Sequence, residues 1–337
     1  MKNCSIIIPH YNGKKILRRC LNSLIETTPS NHEIIVVDNA SSDDSLSMLE
    51  KDFSQVRTIS NKTNLGYAGA CNVGALNSTN DYLIFLNNDT ELTNHWIEPL
   101  INQLENEKVA SVQPKIKNLD NKKYFDYAGA AGGYIDIFCY PFCRGRIFDT
   151  IEKDNLQYES KETVFWASGT AFATKKEIFI KSGMFDLTMF AHMEEIDYHW
   201  KSQMMGYKII MTPESTIYHQ GAKTLSYESS QKTYLNHRNS LIIFLTNHKL
   251  LLSLSLFIPR ILLQLISILK DLVSFRLTHA IAQCKALGWI FISPIYLINK
   301  RKNSKKIQIK NYKLRGLFRG SIVINYFLLR KKYYTEY

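Results

Sequence analysis

Three carboxylates fall within one helical turn in the run Met193-Glu194-Glu195-Ile196-Asp197-Tyr198. On a helix, Glu194 and Asp197 share a face, and Glu195 points about 100° away from them. One such carboxylate can aim into a crevice and accept a proton while the others orient it or bind hydroxyls. Close acidic neighbours raise its pKa towards the value useful to a base near neutral pH. The acidic first turn of an ordinary helix has the same composition. A second cluster, Asn87-Asn88-Asp89, follows the apolar run YLIFL, so its polar groups emerge together at a strand end. Asp38 closes another apolar run, EIIVVD, where a carboxylate can cap a turn or accept a ligand N–H. Asn64-Leu65-Gly66-Tyr67-Ala68-Gly69 supplies small residues where backbone can approach a ribose or phosphate. No GxGxxG follows a predicted strand, which argues against a dinucleotide oxidoreductase. Cys139 and Cys143 form a lone C-x3-C pair without a second pair or a His doublet, so no zinc site is expected.

Apolar runs that alternate with helical patterns must position these groups. Ser5 to Pro9, Glu33 to Asp38, Val56 to Ser60 and Tyr82 to Leu86 read as strands. Ile16 to Leu24, a segment with Leu46 and Leu49, Gly66 to Asn77 and Trp96 to Leu104 read as helices. This alternation predicts an α/β fold around a mostly parallel, doubly wound sheet. Pro9, Asp38 and Asn87 to Asp89 then lie at the carboxyl ends of strands, where such sheets bind ligands. Lys117 to Lys161 reads as loop with short strands. Helices are expected over Lys175 to Ser182 and Ala191 to Met205, and closing strands over Tyr207 to Thr212 and Thr216 to His219.

The 337 residues carry a net charge of +12, unevenly placed. From Ser240 onward there are 17 Lys and Arg against only Asp271 and Glu336, a net of +15, which leaves −3 for the residues before it. With 45% hydrophobic and 21% charged residues, collagen-like, disordered and disulfide-stapled classes are excluded. The six cysteines lie mostly in apolar runs, and the N-terminal MKNCSIIIPHYN lacks a cleavage site. Both features predict buried free thiols in the cytoplasm. Lys249 to Phe275 is apolar but interrupted by Pro259, Arg260, Lys270 and Asp271, and Ala286 to Asn299 is shorter, so spanning is disfavoured. Two amphipathic or re-entrant helices, followed by Lys300-Arg301-Lys302 and Lys305-Lys306, fit a chain lying on an anionic leaflet. A packed helical subdomain or a homodimer interface has the same signature. The tail is too apolar for nucleic acid.

Taken in order, Pro9-His10-Tyr11-Asn12, Asp38 in VVDNASSD, Asn64 to Tyr67 with Asn72, Asn87 to Thr90, Trp166 to Thr170, Glu194 to Asp197 and Tyr218-His219 resemble a family 2 inverting glycosyltransferase. The likeness covers roughly residues 4 to 245 and is greatest to rhamnosyltransferase-like and galactofuranosyltransferase-like bacterial members that build surface polysaccharide. It implies a GT-A fold, and the change of composition after Asn247 divides the chain into a catalytic domain over 1–247 and a helical, membrane-associated extension over 248–337. It implies a donor-nucleotide site of Pro9, His10, Tyr11, Asn12, Asp38, Asn64, Gly66, Tyr67, Asn72, Asn87 and Asn88. Pro9 to Tyr11 would wall the base, and Asp38 would accept from a pyrimidine imide. Asp89 and His219 would hold Mg2+ or Mn2+ on the diphosphate, although Asn87 stands where the family often has a first Asp. Glu195 would be the base, flanked by Glu194 and Asp197. Trp166, Ser168, Gly169, Thr170, Lys223 and Arg238 would face sugar or acceptor. The implied donor is a dTDP- or UDP-sugar, with dTDP-rhamnose the first choice. The implied acceptor is a polyprenyl-diphosphate-linked oligosaccharide at the inner face of the cell membrane. A polyprenyl-phosphate sugar synthase and an inactive nucleotide-binding subunit are the rival readings.

Overall fold

The computed structural model describes residues 2–221 and 229–337. The first part alternates β1 (Cys4–His10), α1 (Lys14–Thr27), β2 (Glu33–Asp38), α2 (Ser45–Asp52), β3 (Arg57–Ser60), α3 (Gly66–Asn77) and β4 (Tyr82–Leu86). Then follow β5 (Thr90–Leu92), α4 (Glu98–Leu104), β6 (Val109–Asn118), β7 (Gly133–Asp136), β8 (Pro141–Cys143), β9 (Arg146–Ile147) and β10 (Thr150–Ile151). β11 (Glu162–Val164), β12 (Ala171–Lys175), α5 (Lys176–Lys181), α6 (Glu194–Met204) and β13 (Lys208–His219) complete the main sheet and its cover. The tail is α7 (Ser230–Asn247), α8 (Leu250–Val273), α9 (Leu277–Ile292), α10 (Pro294–Lys306), β14 (Leu317–Phe318) and α11 (Ile322–Phe327).

The main sheet has the order β11-β13-β6-β12-β4-β1-β2-β3, with β5 added on β13. β3, β2, β1 and β4 are parallel. Their runs are continuously apolar because helices cover both faces: Ile6, Ile7, Ile8, Val36, Val37, Ile84 and Phe85 are fully buried. Beyond β4 the sheet is mixed, because β12 runs antiparallel between β4 and β6. That reversal has a functional result. β12 begins where β4 ends, with Ala171 opposite Leu86, so the loop before β12 lies beside Asn87.

The stretch expected to be loop with short strands forms a second sheet, β10-β9-β8-β7-β14, whose last strand comes from the C-terminus. Ile322 and Tyr326 of α11 join the same core cluster as β7 and β8, so the tail shares its core with the rest of the chain. α8 corrects the expected interruption: it runs unbroken through Pro259 for 24 residues. It is long and apolar enough to cross a membrane, as is the α9–α10 pair, which is bent by 74°. However, α8 turns Ser253, Arg260, Gln264 and Asp271 towards the protein and leaves Leu251, Ile258 and Val273 exposed.

Gly66 opens α3 at φ +71°, and a Cβ there would lie 2.3 Å from the backbone oxygen of Phe190. That oxygen already accepts from the N–H of Ala68 at 3.1 Å. Gly66→Ala is therefore expected to destabilise the fold by about 1–3 kcal/mol, read as a lower urea midpoint with an unchanged slope.

Candidate active site

At the ends of β1 and β2, His10 lies opposite Asp38. His10 is an internal strut: its Nδ1 accepts from Asn88 Nδ2 at 2.8 Å and its Nε2 donates to Ser45 Oγ at 2.9 Å. Burial keeps its pKa low. This corrects its expected place in the wall of a base, since both of its ring nitrogens are engaged, one by Asn88 Nδ2 and the other by Ser45. Pro9 and Tyr11 remain open at the strand end, Tyr11 being 41% exposed. Asn12 Oδ1 accepts from the N–H of Ser42 at 2.8 Å and shapes the following loop.

Asp38 is completely buried. Its Oδ2 accepts from Ser41 N–H at 3.0 Å, the turn role its context allows. Its Oδ1 has no hydrogen-bond partner among the described residues. A buried orphan acceptor is costly, and a ligand N–H would satisfy it. Beside it, Asn61 Nδ2 donates to Asn39 Oδ1 at 2.9 Å, and Asn39 Nδ2 donates to the carbonyl of Gly66 at 3.0 Å. Asn64 Oδ1 accepts from Gly66 N–H at 2.9 Å. Asn39 and Asn61 went unnoticed in the sequence because nothing in their spacing marks them.

The antiparallel pairing of β5 with β13 sets His219 opposite Thr90, next to Asp89. His219 Nε2 stands 3.1 Å from Asp89 Oδ1, and its Nδ1 donates to Asp126 Oδ1 at 2.8 Å. Burial opposes a charge on His219, yet the two carboxylates outweigh it and push its pKa up to about 10. Burial likewise opposes ionisation of Asp89, and His219 holds its pKa below the ordinary value. The two expected cation ligands are thus brought together. Among the described residues no cluster of three or more His, Cys, Asp or Glu side chains forms a complete metal cage. The pair nevertheless fits a divalent ion shared with phosphate. Two donors about 3 Å apart can sit side by side on a cation whose ligands lie at roughly 2.0–2.2 Å, and an outer carboxylate on the far nitrogen is the usual support of a ligating His. Asp126 supplies that support and was not anticipated.

Glu194 and Glu195 open α6 after Met193, a residue with φ +71°. Burial, and then the charge of Glu195, raise the Glu194 pKa well above the carboxylate range. Burial also raises Glu195, to about 7, while its own N–H and those of Ile196, Gly169 and Met193 favour its ionised form. The pair therefore divides into a carboxyl held neutral and a carboxylate poised near neutrality. Gly169 is also the link to the cation pair. Tyr67 donates to the Gly169 carbonyl at 2.6 Å, Asn87 N–H donates to the Thr170 carbonyl at 2.9 Å, and Asn87 is two residues from Asp89. The loop carrying Asp126 closes the circuit. Ala128 N–H donates to Asp126 Oδ1 at 2.7 Å, and the Ala128 carbonyl accepts from Ser168 Oγ at 2.9 Å.

Other expected site residues turn elsewhere. Asp197 does not share the crevice with Glu195. It is fully buried and bound by Lys201 at 2.7 Å, Lys300 at 2.9 Å and Asn247 at 2.8 Å, because its face of α6 meets the tail. Trp166 offers no face to a sugar: it packs on Gly133, and its Nε1 donates to the Tyr134 carbonyl at 2.8 Å. Asn72 clamps both backbone groups of Phe185. Ser168 and Thr170 spend their hydroxyls on the Ala128 carbonyl. Arg238 donates to the carbonyls of Thr188 and Met189, and its neighbour Asn239 to those of Met189, Ala191 and His192, so both hold the loop that leads into Glu194. Lys223 lies outside the described residues.

The profile for "Glycosyl transferase family 2" matches residues 5–186. An uncharacterised glycosyltransferase of Haemophilus influenzae is 31% identical over 42% of this chain and 41% of its own length. The N-acetylglucosaminyl-diphospho-decaprenol L-rhamnosyltransferase of Mycobacterium tuberculosis is 21% identical over 72% of this chain and 84% of its own length. The chain spans less than half the length of the first curated relatives it matches, at 41%, 22% and 29%. Among solved structures, GalNAc-T7 with UDP, GalNAc and Mn2+ is similar with a TM-score of 0.57 at 19% identity, covering 73% of this chain and 48% of that one. A mannosyltransferase from Pyrobaculum calidifontis with GDP-Man and Mn2+ has a TM-score of 0.51 at 13% identity, over 90% of this chain and 84% of that one. The chain belongs to glycosyl transferase family 2 and has the GT-A-like α/β fold of these structures, with a helical C-terminal extension.

Proposed function

We propose that this chain transfers one sugar, with inversion, from a nucleoside diphosphate sugar to a lipid-linked acceptor at the cytoplasmic face of the membrane. dTDP-rhamnose is the first candidate donor, a polyprenyl-diphosphate oligosaccharide the candidate acceptor, and surface polysaccharide the product. Residues 1–247 carry the transfer and 248–337 the membrane contact. The observation that carries the reading is that Glu195 lies near the N–H of Gly169, whose neighbour Thr170 accepts from Asn87 at the head of the Asn87–Asp89 turn. The rhamnosyltransferase named above, whose own name specifies a diphospho-decaprenol substrate, supports the donor and acceptor classes.

Pro9 and Tyr11 would flank the base, and the orphan Oδ1 of Asp38 would accept its imide N–H. Asp89 and His219 would hold a divalent cation, whose charge supplies neutralisation of the diphosphate. Glu195 would take the proton from the acceptor hydroxyl as its oxygen attacks the anomeric carbon. Tyr67 and the Arg238–Asn239 clamp would fix the loops between which the sugar lies. The exposed apolar faces of α8 and α9, on a segment with net charge +15, fit an anionic membrane surface.

The test is a panel of dTDP-, UDP- and GDP-sugars, scored by thermal stabilisation and slow hydrolysis with and without Mn2+. A dTDP-sugar giving the largest Mn2+-dependent shift is expected. Preference for a GDP-sugar would overturn the assignment of a pyrimidine base to the Asp38 site, and no response to any nucleotide would overturn the function.

A further inference from the structure

A cavity of about 680 Å³ lies where the end of α7, the start of α8 and the end of α10 meet, and it shares no lining residue with the site above. Its walls include Lys249, Arg301 and Lys305, and none of its lining residues is acidic. The 24-residue α8 begins here without a side-chain cap. The first N–H in its ladder is that of Ser253, bonded to the Lys249 carbonyl, so the N–H groups of Leu250, Leu251 and Leu252 have no intrahelical acceptor. A second, independent feature is Ser304. It lines the cavity, is 2% exposed, and its hydroxyl has no partner among the described residues. Arg301 is held in place by donating to the carbonyls of His248, at 2.8 Å, and Leu245. A fixed guanidinium, two exposed lysines, open N–H groups and an orphan hydroxyl together describe a phosphate site.

The position of the cavity narrows the ligand. Leu250 and Leu251 line it and are exposed, 81% for Leu251, and they begin the apolar outer face of α8. A ligand whose anion sits among Lys249, Arg301 and Lys305 would lay its apolar part along that face. We propose that the cavity binds the phosphate headgroup of an anionic phospholipid, anchoring the tail in one orientation. This deepens the membrane-contact reading of residues 248–337 and rests on it.

The probe is short-chain dihexanoyl phosphatidylglycerol below its micellar range, titrated calorimetrically into the full chain beside dihexanoyl phosphatidylcholine and inorganic phosphate. Saturable binding of the phosphatidylglycerol, about tenfold or more tighter than either comparator, is expected. The exposed pair K249Q/K305Q should lose about tenfold of that affinity, whereas K302Q/K306Q, which removes equal charge from α10 outside the cavity, should lose little. Equal loss in both variants would mean diffuse attraction and overturn the site. Equally tight inorganic phosphate would assign it to free phosphate and overturn the lipid. Flotation with phosphatidylcholine vesicles separates the two readings. With phosphatidylglycerol included in those vesicles, flotation without titratable binding sinks the site alone, and binding without flotation sinks the membrane contact and the anchoring role with it.

Discussion

Glu195→Gln is expected to lower sugar transfer by about 10²–10⁴-fold while leaving donor affinity unchanged. The variant keeps the shape and the N–H contacts of the side chain but cannot accept a proton. Donor affinity rests on other groups: Asp38, Asp89 and His219 do not touch Glu195. The neighbouring carboxyl supplies the control. Burial keeps Glu194 in its neutral form, which Gln mimics, so Glu194→Gln should change the rate by only a few fold. If the two phenotypes were exchanged, Glu194 would be the base.

The same pair predicts a pH profile. The base must be ionised, and burial raises Glu195 to about 7. Transfer should therefore be weak in mild acid, climb as the pH rises through that value and level off above it. In Glu195→Gln the residual rate should lose this limb. A wild-type rate that is flat between pH 5 and 8 would show that Glu195 ionises in the ordinary carboxylate range and would remove the basis for dividing the two glutamates.

How much of this was legible in the sequence follows from how each part is held together. Glu33–Asp38 and Tyr82–Leu86 appear within the bounds the sequence predicts, because strands buried on both faces read as unbroken apolar runs. The segment from Lys117 to Lys161 gave no period, because its strands are two to four residues long and one sheet edge is completed by Leu317–Phe318. Asp126 was hidden for a related reason: its meaning comes from His219, 93 positions away. Asp197 misled because its partner Lys300 is 103 positions away, so three neighbouring carboxylates looked like one cluster although the helix sends them to two sides. α8 carries the opposite lesson. In the sequence Arg260 and Asp271 read as interruptions, yet with Gln264 they are spaced 4 and 7 apart, which places them on one helical stripe.

Asp89→Ala should remove metal-dependent donor binding, with a loss on the order of 100-fold or more in nucleotide affinity when Mn2+ is present and little change when it is absent. The asymmetry is the informative part. A residue that only shaped the β4–β5 turn would weaken binding under both conditions. A cation ligand costs affinity only where a cation is there to be held. His219 remains fixed by Asp126 at 2.8 Å in the variant, so the strand end should keep its place. Asp126→Asn provides the graded case: it leaves both direct ligands and alters only the support of the imidazole, for an expected 10- to 100-fold drop in metal affinity. Calorimetry of dTDP and UDP against wild type, Asp89→Ala and Asp126→Asn, each with and without Mn2+, gives the ordering. Equal nucleotide affinity in all three with Mn2+ would overturn the cation site. Equal losses with and without the metal would reassign Asp89 to the architecture of the turn.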